Sequence, residues 1–227
     1  QTTPRNPLFT NSTHLFVIED EFVKKTVDAS TYDTVIESID NEVYIFADED
    51  YLFSKDDTTA YAIDLNTLTR ITTDLNVDVK AIVNFSGAYI GISDTSVFYS
   101  EDGISWDENP IPGVNMDYTN SYIFVAGSVV FIVAAGDGYN QMWGTYALSS
   151  TDGVTWDEVF WEVYSYNNAS MKELLSAPVY NPNNDSIVME FTGEDYDLEK
   201  TVGMKFISFA PFEEFIHIYE GYNMNYK

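Results

Sequence analysis

Two aspartates with the same neighbours, Asp102 and Asp152, are the residues whose types and spacing first point to chemistry. Each lies in a heptad, SEDGISW at residues 100–106 and STDGVTW at residues 150–156, and each heptad is followed by Asp-Glu. A positioned carboxylate can act as a general acid or base. It can also accept backbone N–H groups across a tight turn. We predict the second role, because each aspartate is followed by glycine.

The other repeated residues of the heptads also fit a structural turn. Glycine supplies the positive φ that a chain reversal needs. A tryptophan a few residues later can fold its ring back as a hydrophobic plug with one N–H to satisfy. We therefore predict two structural turns and no catalytic residue among Ser100, Asp102, Gly103, Trp106, Ser150, Asp152, Gly153 and Trp156.

These turns need strands on either side, and the sequence supplies them at regular intervals. Self-similarity at a period of about 40–50 residues indicates a repeat architecture, which in an all-β chain is usually a propeller. We predict an all-β chain with an extended arm at residues 1–11 and one β-propeller-like domain of about five blades at residues 12–227. A β-sandwich is the alternative, and the repeat disfavours it.

The strand pattern places four blades at residues 36–74, 76–112, 118–165 and 174–210. We expect the N-terminal strands near residues 12–34 to complete a fifth blade, closed by the C-terminal strand near residues 215–219. Residues 171–175 are the one segment with a helical pattern, for about one turn.

The two heptads resemble the Asp-box, or BNR repeat, of sialidases and many other β-propeller proteins. The family pattern is Ser/Thr-x-Asp-x-Gly-x-Thr-Trp/Phe, and the heptads here are one residue shorter between Asp and Gly, as in a variant of bacterial and phage propeller proteins. The resemblance implies hairpins between the third and fourth strands of a blade, away from the ligand-binding face. A degenerate third copy is predicted at residues 54–60 (SKDDTTA).

The resemblance to sialidases does not extend to their activity. It would imply three arginines around the substrate carboxylate, and a lysine does not replace the bidentate guanidinium well. The chain has two arginines, Arg5 and Arg70, so we predict that it is not a sialidase. Other glycoside hydrolysis needs two carboxylates, which are easy to find among 37 acidic residues, and Glu190, between apolar neighbours, is the most interesting single candidate. We predict no enzymatic activity.

Two histidines and several acidic clusters could hold a metal, but a structural role is favoured for each. His14 and His217 lie in similar apolar segments, which fits two terminal strands that pair in one closing blade. The acidic clusters at residues 48–50, 56–57 and 194–197 offer oxygen ligands for Ca²⁺, without EF-hand spacing. We predict solvated turns, no metal site and no cofactor, and keep Ca²⁺ as the alternative.

Ligand contacts are expected from aromatic loops. Residues 134–144 (AAGDGYNQMWG) are the best loop candidate, and residues 160–168 form a second aromatic-rich stretch. Tyr139, Trp143 and Trp161 would suit stacking on sugar rings or contact with a protein. The alternative is that these rings fill the seams between blades.

Composition excludes several classes of function. The 227 residues include 10 basic and 37 acidic residues, for a net charge of −27. Such a surface repels phosphate backbones and anionic lipids, so we expect no nucleic-acid partner and no membrane insertion. The chain has no cysteine, which excludes disulfides and thiolate sites. It begins with Gln1, and we expect a processed N-terminus or a longer product.

Together these features predict a non-enzymatic protein displayed on a virion or otherwise outside a cell. The acidity, the lack of cysteine and the short Asp-box variant resemble bacteriophage tail, fibre or capsid-surface proteins. Such a protein would present a propeller surface to other virion proteins or to a host-surface glycan or protein, as part of a symmetric assembly. The alternative is a secreted carbohydrate-binding or glycoside-hydrolase propeller.

Overall fold

The structure, a computed structural model, contains five antiparallel sheets among the residues that it describes. It describes residues 6–10, 13–19, 22–39, 41–111, 120–138, 142–163, 170–174, 179–181, 183, 186–195, 198–209 and 215–222. The chain divides into two compact units, Gln1–Asn109 and Pro110–Lys227. None of the described residues belongs to a helix long and apolar enough to cross a membrane.

Apart from Pro110 at the end of the last strand, the first unit holds three sheets of four strands, each in sequential up-and-down order. Sheet 1 consists of β1 (Asn6–Thr10), β2 (Leu15–Glu19), β3 (Phe22–Thr26) and β4 (Asp33–Glu37). Sheet 2 consists of β5 (Val43–Ala47), β6 (Tyr51–Lys55), β7 (Ala60–Asp64) and β8 (Thr69–Thr72). Sheet 3 consists of β9 (Ala81–Phe85), β10 (Ala88–Ile92), β11 (Ser96–Ser100) and β12 (Asp107–Pro110).

The second unit holds the other two sheets. Sheet 4 consists of β13 (Asn120–Ala126), β14 (Val129–Gly138), β15 (Met142–Ser150) and β16 (Asp157–Val163). Sheet 5 consists of β17 (Ser170–Leu174), β18 (Val179–Asn181), β19 (Ser186–Asp195), β20 (Leu198–Phe209) and β21 (Phe215–Tyr222). β17 and β18 pair with opposite halves of β19, so together they form an interrupted first strand.

Sheet 2 buries both of its faces, which explains the nearly continuous apolar runs in its central strands. Leu52 and Ile63 pack with Phe16 of sheet 1, whereas Phe53 packs with Phe98 of sheet 3. Successive strand residues point to opposite faces, so neighbours in β6 serve different cores. Each fully buried side chain of this size contributes about 1.5–3 kcal/mol of transfer free energy. β5 lies beside both β1 and β9, so the first strands of the three sheets are neighbours.

The all-β prediction is confirmed, and several local predictions are wrong. Residues 6–10 of the predicted arm form β1, which pairs with β2. Among the described residues the C-terminal strand β21 pairs with β20, so His217 lies in sheet 5, whereas His14 directly precedes β2 of sheet 1. The predicted pairing of the two terminal strands is therefore wrong. The predicted helical turn is β17, because pairing with β19 overrides a weak local preference. The predictions for residues 54–60, 134–138, 142–144 and 194–195 are also wrong, as the geometry of the site shows. A single domain at residues 12–227 and the number of blades stay predictions.

Candidate functional site

The first heptad forms the turn between β11 and β12, the third and fourth strands of sheet 3. Asp102 Oδ1 accepts the backbone N–H groups of Ile104 and Ser105, both at 2.8 Å. Ser100 Oγ donates to Asp102 Oδ1 at 3.1 Å and accepts the N–H of Gly103 at 2.8 Å. Gly103 has a φ of 74°. Both side chains therefore close the turn, as predicted from their residue types.

The second heptad forms the same turn between β15 and β16, the third and fourth strands of sheet 4. Asp152 Oδ1 accepts the N–H groups of Val154 at 2.8 Å and Thr155 at 2.7 Å. Ser150 Oγ donates to Asp152 Oδ1 at 2.9 Å and accepts the N–H of Gly153 at 2.8 Å. The four side-chain hydrogen bonds that close the first turn therefore recur in the second.

Sheet 1 carries a third copy of this turn at residues 26–32 (TVDASTY), again between its third and fourth strands. Asp28 Oδ1 accepts the N–H groups of Ser30 at 2.8 Å and Thr31 at 3.1 Å. Thr26 Oγ1 donates to Asp28 Oδ1 at 3.2 Å and accepts the N–H of Ala29 at 3.0 Å. Sequence reasoning missed this copy because alanine replaces glycine and tyrosine replaces tryptophan. Its remaining signal is the Thr-x-Asp spacing followed by Thr-Tyr.

The copy predicted at residues 54–60 has a different structure. These residues join β6 to β7, the second and third strands of sheet 2. Ser54 Oγ donates to Glu42 Oε1 at 2.6 Å, whereas Asp56 Oδ1 accepts the N–H groups of Thr58 and Thr59. Asp56 therefore closes its turn without the serine bridge, and the prediction of a third copy at this position is wrong.

Position 29 offers a direct test of the turn. Ala29 has a φ of 58°, in the region where a Cβ is unfavourable. We expect Ala29→Gly to raise the free energy of unfolding by about 1 kcal/mol, measured by urea denaturation. The reverse change, Gly103→Ala, should lower it by about 2–4 kcal/mol, because its Cβ would also lie 3.0 Å from Phe53 Cζ. A loss of stability in Ala29→Gly, or an unchanged stability in Gly103→Ala, would contradict the assignment of a left-handed backbone to this position of the turn.

The carboxylates of the three turns are held in their charged form. Backbone N–H groups of Thr155 and Val154 lower the pKa of Asp152 from 3.8 to about 2. The N–H groups of Ser105 and Ile104 lower the pKa of Asp102, and those of Ser30 and Thr31 lower the pKa of Asp28. A carboxyl group with a depressed pKa is a poor general acid near neutral pH. The electrostatics therefore agree with a structural role.

This depression of the pKa predicts an acid-sensitive contribution to stability. Because the pKa of Asp152 is lower in the folded chain, its stabilisation is fully present above the unfolded value and is lost as the pH falls through about 2. Asp152→Asn should therefore be less stable than the parent chain at pH 7, and the two melting temperatures should converge below about pH 2. Asp157→Asn, at an exposed position, makes the same charge change and should leave the melting temperature within about 1 °C at pH 7.

Trp106 plugs the first turn. Its ring N–H donates to the carbonyl of Gly103 at 3.1 Å, and the side chain is buried against Phe53 and Tyr89. Its backbone N–H donates to Asp74 Oδ1 at 2.7 Å, which ties the turn to the segment between sheets 2 and 3. Trp156 in the second turn is half-buried. The predicted plug is therefore found in full in the first turn.

Four turns at one end of sheets 2 and 3 surround an open cavity of about 310 Å³, which we call the turn depression. Each turn joins the first to the second strand or the third to the fourth strand of its sheet. The lining residues are Asp50, Tyr51, Asp64, Asn66, Gly87, Tyr89, Glu101 and Asp102. The cavity therefore combines carboxylates, one amide and two tyrosines, at the end that carries the first heptad.

The two tyrosines of the turn depression are fixed by aromatic packing. Tyr51 and Tyr89 meet edge to face with ring centroids 6.0 Å apart, and Tyr89 packs on Phe53 at 5.0 Å. Burial, followed by the charges of Asp64 and nearby aspartates, raises the pKa of Tyr51. Its hydroxyl therefore stays protonated and able to donate a hydrogen bond near neutral pH.

A second polar cluster lies inside sheet 2 and has no counterpart among the predicted site residues. Arg70 Nη2 donates to Glu42 Oε1 at 3.0 Å and Oε2 at 2.9 Å, and to the carbonyl of Glu37 at 2.9 Å. The Glu42 side chain is 0% exposed and also accepts hydrogen bonds from Ser54 and Tyr44. Burial raises the pKa of Glu42, but these hydrogen bonds and the Arg70 charge outweigh it, and the net pKa is lowered.

The predicted ligand-contact loop is mostly strand. Residues 134–138 belong to β14 and residues 142–144 to β15, with Asp137 opposite Trp143 in the ladder. Trp161 lies in β16 opposite Tyr146, and Glu190 lies in β19 opposite Met204. Tyr139 lies outside the described residues. The loop prediction is wrong for residues 134–138 and 142–144, because a long hairpin continues through the glycines. Ligand contact by Tyr139, Trp143 and Trp161 stays a prediction.

Of the acidic clusters considered for Ca²⁺, residues 48–50 and 56–57 lie in turns, whereas the predicted turn is wrong for Glu194 and Asp195, which lie in a strand. Asp48 Oδ1 accepts the N–H groups of Asp50 and Tyr51, and Asp56 is engaged as described above. Glu194 and Asp195 lie in β19, and residues 196–197 are not among those described. Within the described ranges no three His, Asp or Glu side chains converge as metal ligands.

Comparisons with known proteins support the fold. No family model matches the sequence, and no curated protein matches it at a significant level. Among solved structures, the chain is similar to the N-terminal domain of Nup159, with 11% identity and a TM-score of 0.56 over 92% of this chain and 59% of that chain. It is also similar to an ancestral GH74 enzyme, with 13% identity and a TM-score of 0.53 over 97% of this chain and 32% of that chain.

The chain spans less than two thirds of each of these matched proteins. Both neighbours are β-propeller proteins, so the predicted β-propeller fold is confirmed and the sandwich alternative is wrong. At these identities the likeness concerns the fold alone, and the fold hosts many functions.

Proposed function

We propose that this chain is a non-enzymatic recognition or docking protein built on Asp-box-type turns and displayed outside a cell, as on a bacteriophage virion. Its partners would be other virion proteins or a host-surface glycan or protein, in a symmetric assembly. The observation that carries the proposal is the commitment of Asp28, Asp102 and Asp152 to turn closure. The repeated carboxylates, the first candidates for acid–base chemistry, serve the scaffold.

The charge of the chain favours a partner that is neither a nucleic acid nor a lipid. A net charge of −27 keeps a protein soluble and repels polyanions. Rigid antiparallel sheets with exposed turns are a common platform for recognition, because the turns can vary while the sheets hold them in place.

A secreted carbohydrate-binding protein or glycoside hydrolase is the second candidate. The turn depression favours it, since carboxylates and tyrosines around one cavity could contact a sugar and two carboxylates could cleave it. The fold likeness to a GH74 enzyme is compatible with this candidate but does not distinguish it from recognition.

A glycan array with the purified chain, followed by mass spectrometry of the bound sugars, separates the two candidates. We expect binding without cleavage, or binding of a protein partner when the array is negative. Cleavage of a bound glycan at a rate above that of the heat-denatured chain would overturn the non-enzymatic proposal. Trp143→Ala and Trp161→Ala test whether the aromatic residues singled out in the sequence contribute to binding.

A further inference from the structure

We propose that the turn depression is a subsite for a neutral or amino-bearing saccharide, an inference that rests on the proposed recognition function. Its volume of about 310 Å³ lies at the lower end of the range of about 300–1,000 Å³ that is common for small-molecule sites. A cavity of this size suits a short stretch of an oligosaccharide, whereas a protein interface is larger.

The aromatic wall is half-exposed Tyr51, backed by buried Tyr89. The edge-to-face contact between the two rings holds Tyr51 in place, so little side-chain entropy is lost when a ligand binds. A half-exposed ring of this kind has an apolar body and a polar tip. It can pack against the C–H face of a sugar while its hydroxyl donates to a ring or hydroxyl oxygen.

The polar wall consists of acceptors that the backbone already holds in position. Asp64 Oδ1 accepts the N–H groups of Asn66 at 2.7 Å and Thr67 at 2.9 Å, and Asp102 is fixed in the same way. Each carboxylate has two oxygens and several lone pairs, so these bonds leave capacity for a ligand hydroxyl. The exposed amide of Asn66 adds both donors and an acceptor. Several acceptors around one cavity match a polyhydroxyl ligand, whose groups are donors.

The charge of this wall sets the specificity. Asp50, Asp64, Glu101 and Asp102 surround the cavity, and none of the lining residues that the structure describes is a lysine or an arginine. Like charges in a partly desolvated site repel, so a sialic or uronic acid carboxylate is disfavoured. An ammonium group would form charge-assisted hydrogen bonds and gain from the tyrosine ring. The expected order of affinity is therefore amino sugar, then neutral sugar, then acidic sugar.

The test is a titration of the full chain with three disaccharides that differ in charge: chitobiose, N,N′-diacetylchitobiose and digalacturonate. Binding is followed by chemical-shift changes and by calorimetry at low and high salt. We expect saturable binding of the first two, with chitobiose bound more tightly and more sensitive to salt. Preferential binding of digalacturonate, or no binding of any of the three at millimolar concentration, would overturn the inference.

Variants localise the subsite. Asp50→Asn, at an exposed position of the lining, should weaken chitobiose binding by about fivefold and leave N,N′-diacetylchitobiose within about twofold. Asp57→Asn, exposed in the β6–β7 turn at the opposite end of sheet 2, makes the same charge change and should weaken neither. Tyr51→Phe keeps the ring and should weaken both sugars by about fivefold, with circular dichroism confirming the fold.

The outcomes distinguish this inference from the proposed function. If sugars bind but Trp143→Ala abolishes binding while Asp50→Asn and Tyr51→Phe do not, the subsite is wrong and glycan recognition stands. If only a basic peptide or protein partner binds the chain, the saccharide is wrong and a docking function stands. If the disaccharides bind here and are hydrolysed, the subsite stands and the non-enzymatic function fails.

Discussion

Replacing Arg70 with methionine is expected to lower the free energy of unfolding of the first unit by about 3–5 kcal/mol. Arg70 is the cation that faces the fully buried Glu42 side chain, with two hydrogen bonds to its carboxylate. Without it, the carboxylate is buried without a counter-charge, and the carbonyl of Glu37 loses a donor. A buried charge left without its partner is among the most destabilising results of a single substitution.

Urea denaturation followed by amide hydrogen exchange tests this expectation. The exchange data should show the loss of protection in β5–β8, where Glu42, Ser54 and Arg70 meet. Lys80→Met removes the same charge from a more exposed pair with Asp94, and it should lower the free energy of unfolding by about 0–1 kcal/mol. The double variant Glu42→Gln with Arg70→Met should recover at least half of the loss, because no uncompensated charge remains buried. Equal effects of Arg70→Met and Lys80→Met would contradict the assigned role of the pair.

The turn chemistry could be predicted from the sequence because it is local. In residues 100–106 and 150–156 the aspartate, glycine and serine lie within four positions, and the hydrogen bonds they form are set by that spacing. The copy at residues 26–32 has the same bonds but lacks the glycine. A residue other than glycine can adopt positive φ when the surrounding bonds require it. The turn therefore forms at residues 26–32 although its sequence pattern is incomplete.

The pairing of the terminal strands could not be predicted in this way, because it depends on contacts between distant parts of the chain. The similar surroundings of His14 and His217 suggested one closing blade, but four consecutive strands at the N-terminus complete sheet 1 by themselves. Local hairpins close with less loss of chain entropy than a contact across two hundred residues.

The two polar sites of the first unit also depend on long-range contacts. Glu42 and Arg70 are separated by 28 positions, and neither lies in a motif. The turn depression is assembled from four turns between residues 50 and 102, each of which is ordinary by itself. The ligand contacts were predicted in glycine- and aromatic-rich segments because the composition of a segment can be read from the sequence. A cavity between two sheets depends on how the sheets pack, which the sequence does not display.

Trp106→Ala is expected to lower the free energy of unfolding of the first unit by about 3–5 kcal/mol. The ring fills the space beside Phe53 and Tyr89, with centroids 6.0 and 6.5 Å away, and its N–H satisfies the carbonyl of Gly103. Its removal leaves a cavity at the junction of sheets 2 and 3 and takes away the partner of that carbonyl.

The equivalent change in the second turn is the matched control. Trp156 is only half-buried, so Trp156→Ala should lower the free energy of unfolding by about 1–2 kcal/mol, well below the effect at position 106. Trp106→Phe keeps an aromatic ring and should fall between the parent chain and Trp106→Ala. The comparison by urea denaturation separates the two functions of the heptad. If both alanine variants are equally destabilised, the tryptophan serves the turn itself, whereas a larger effect at position 106 shows that the first heptad also joins two sheets.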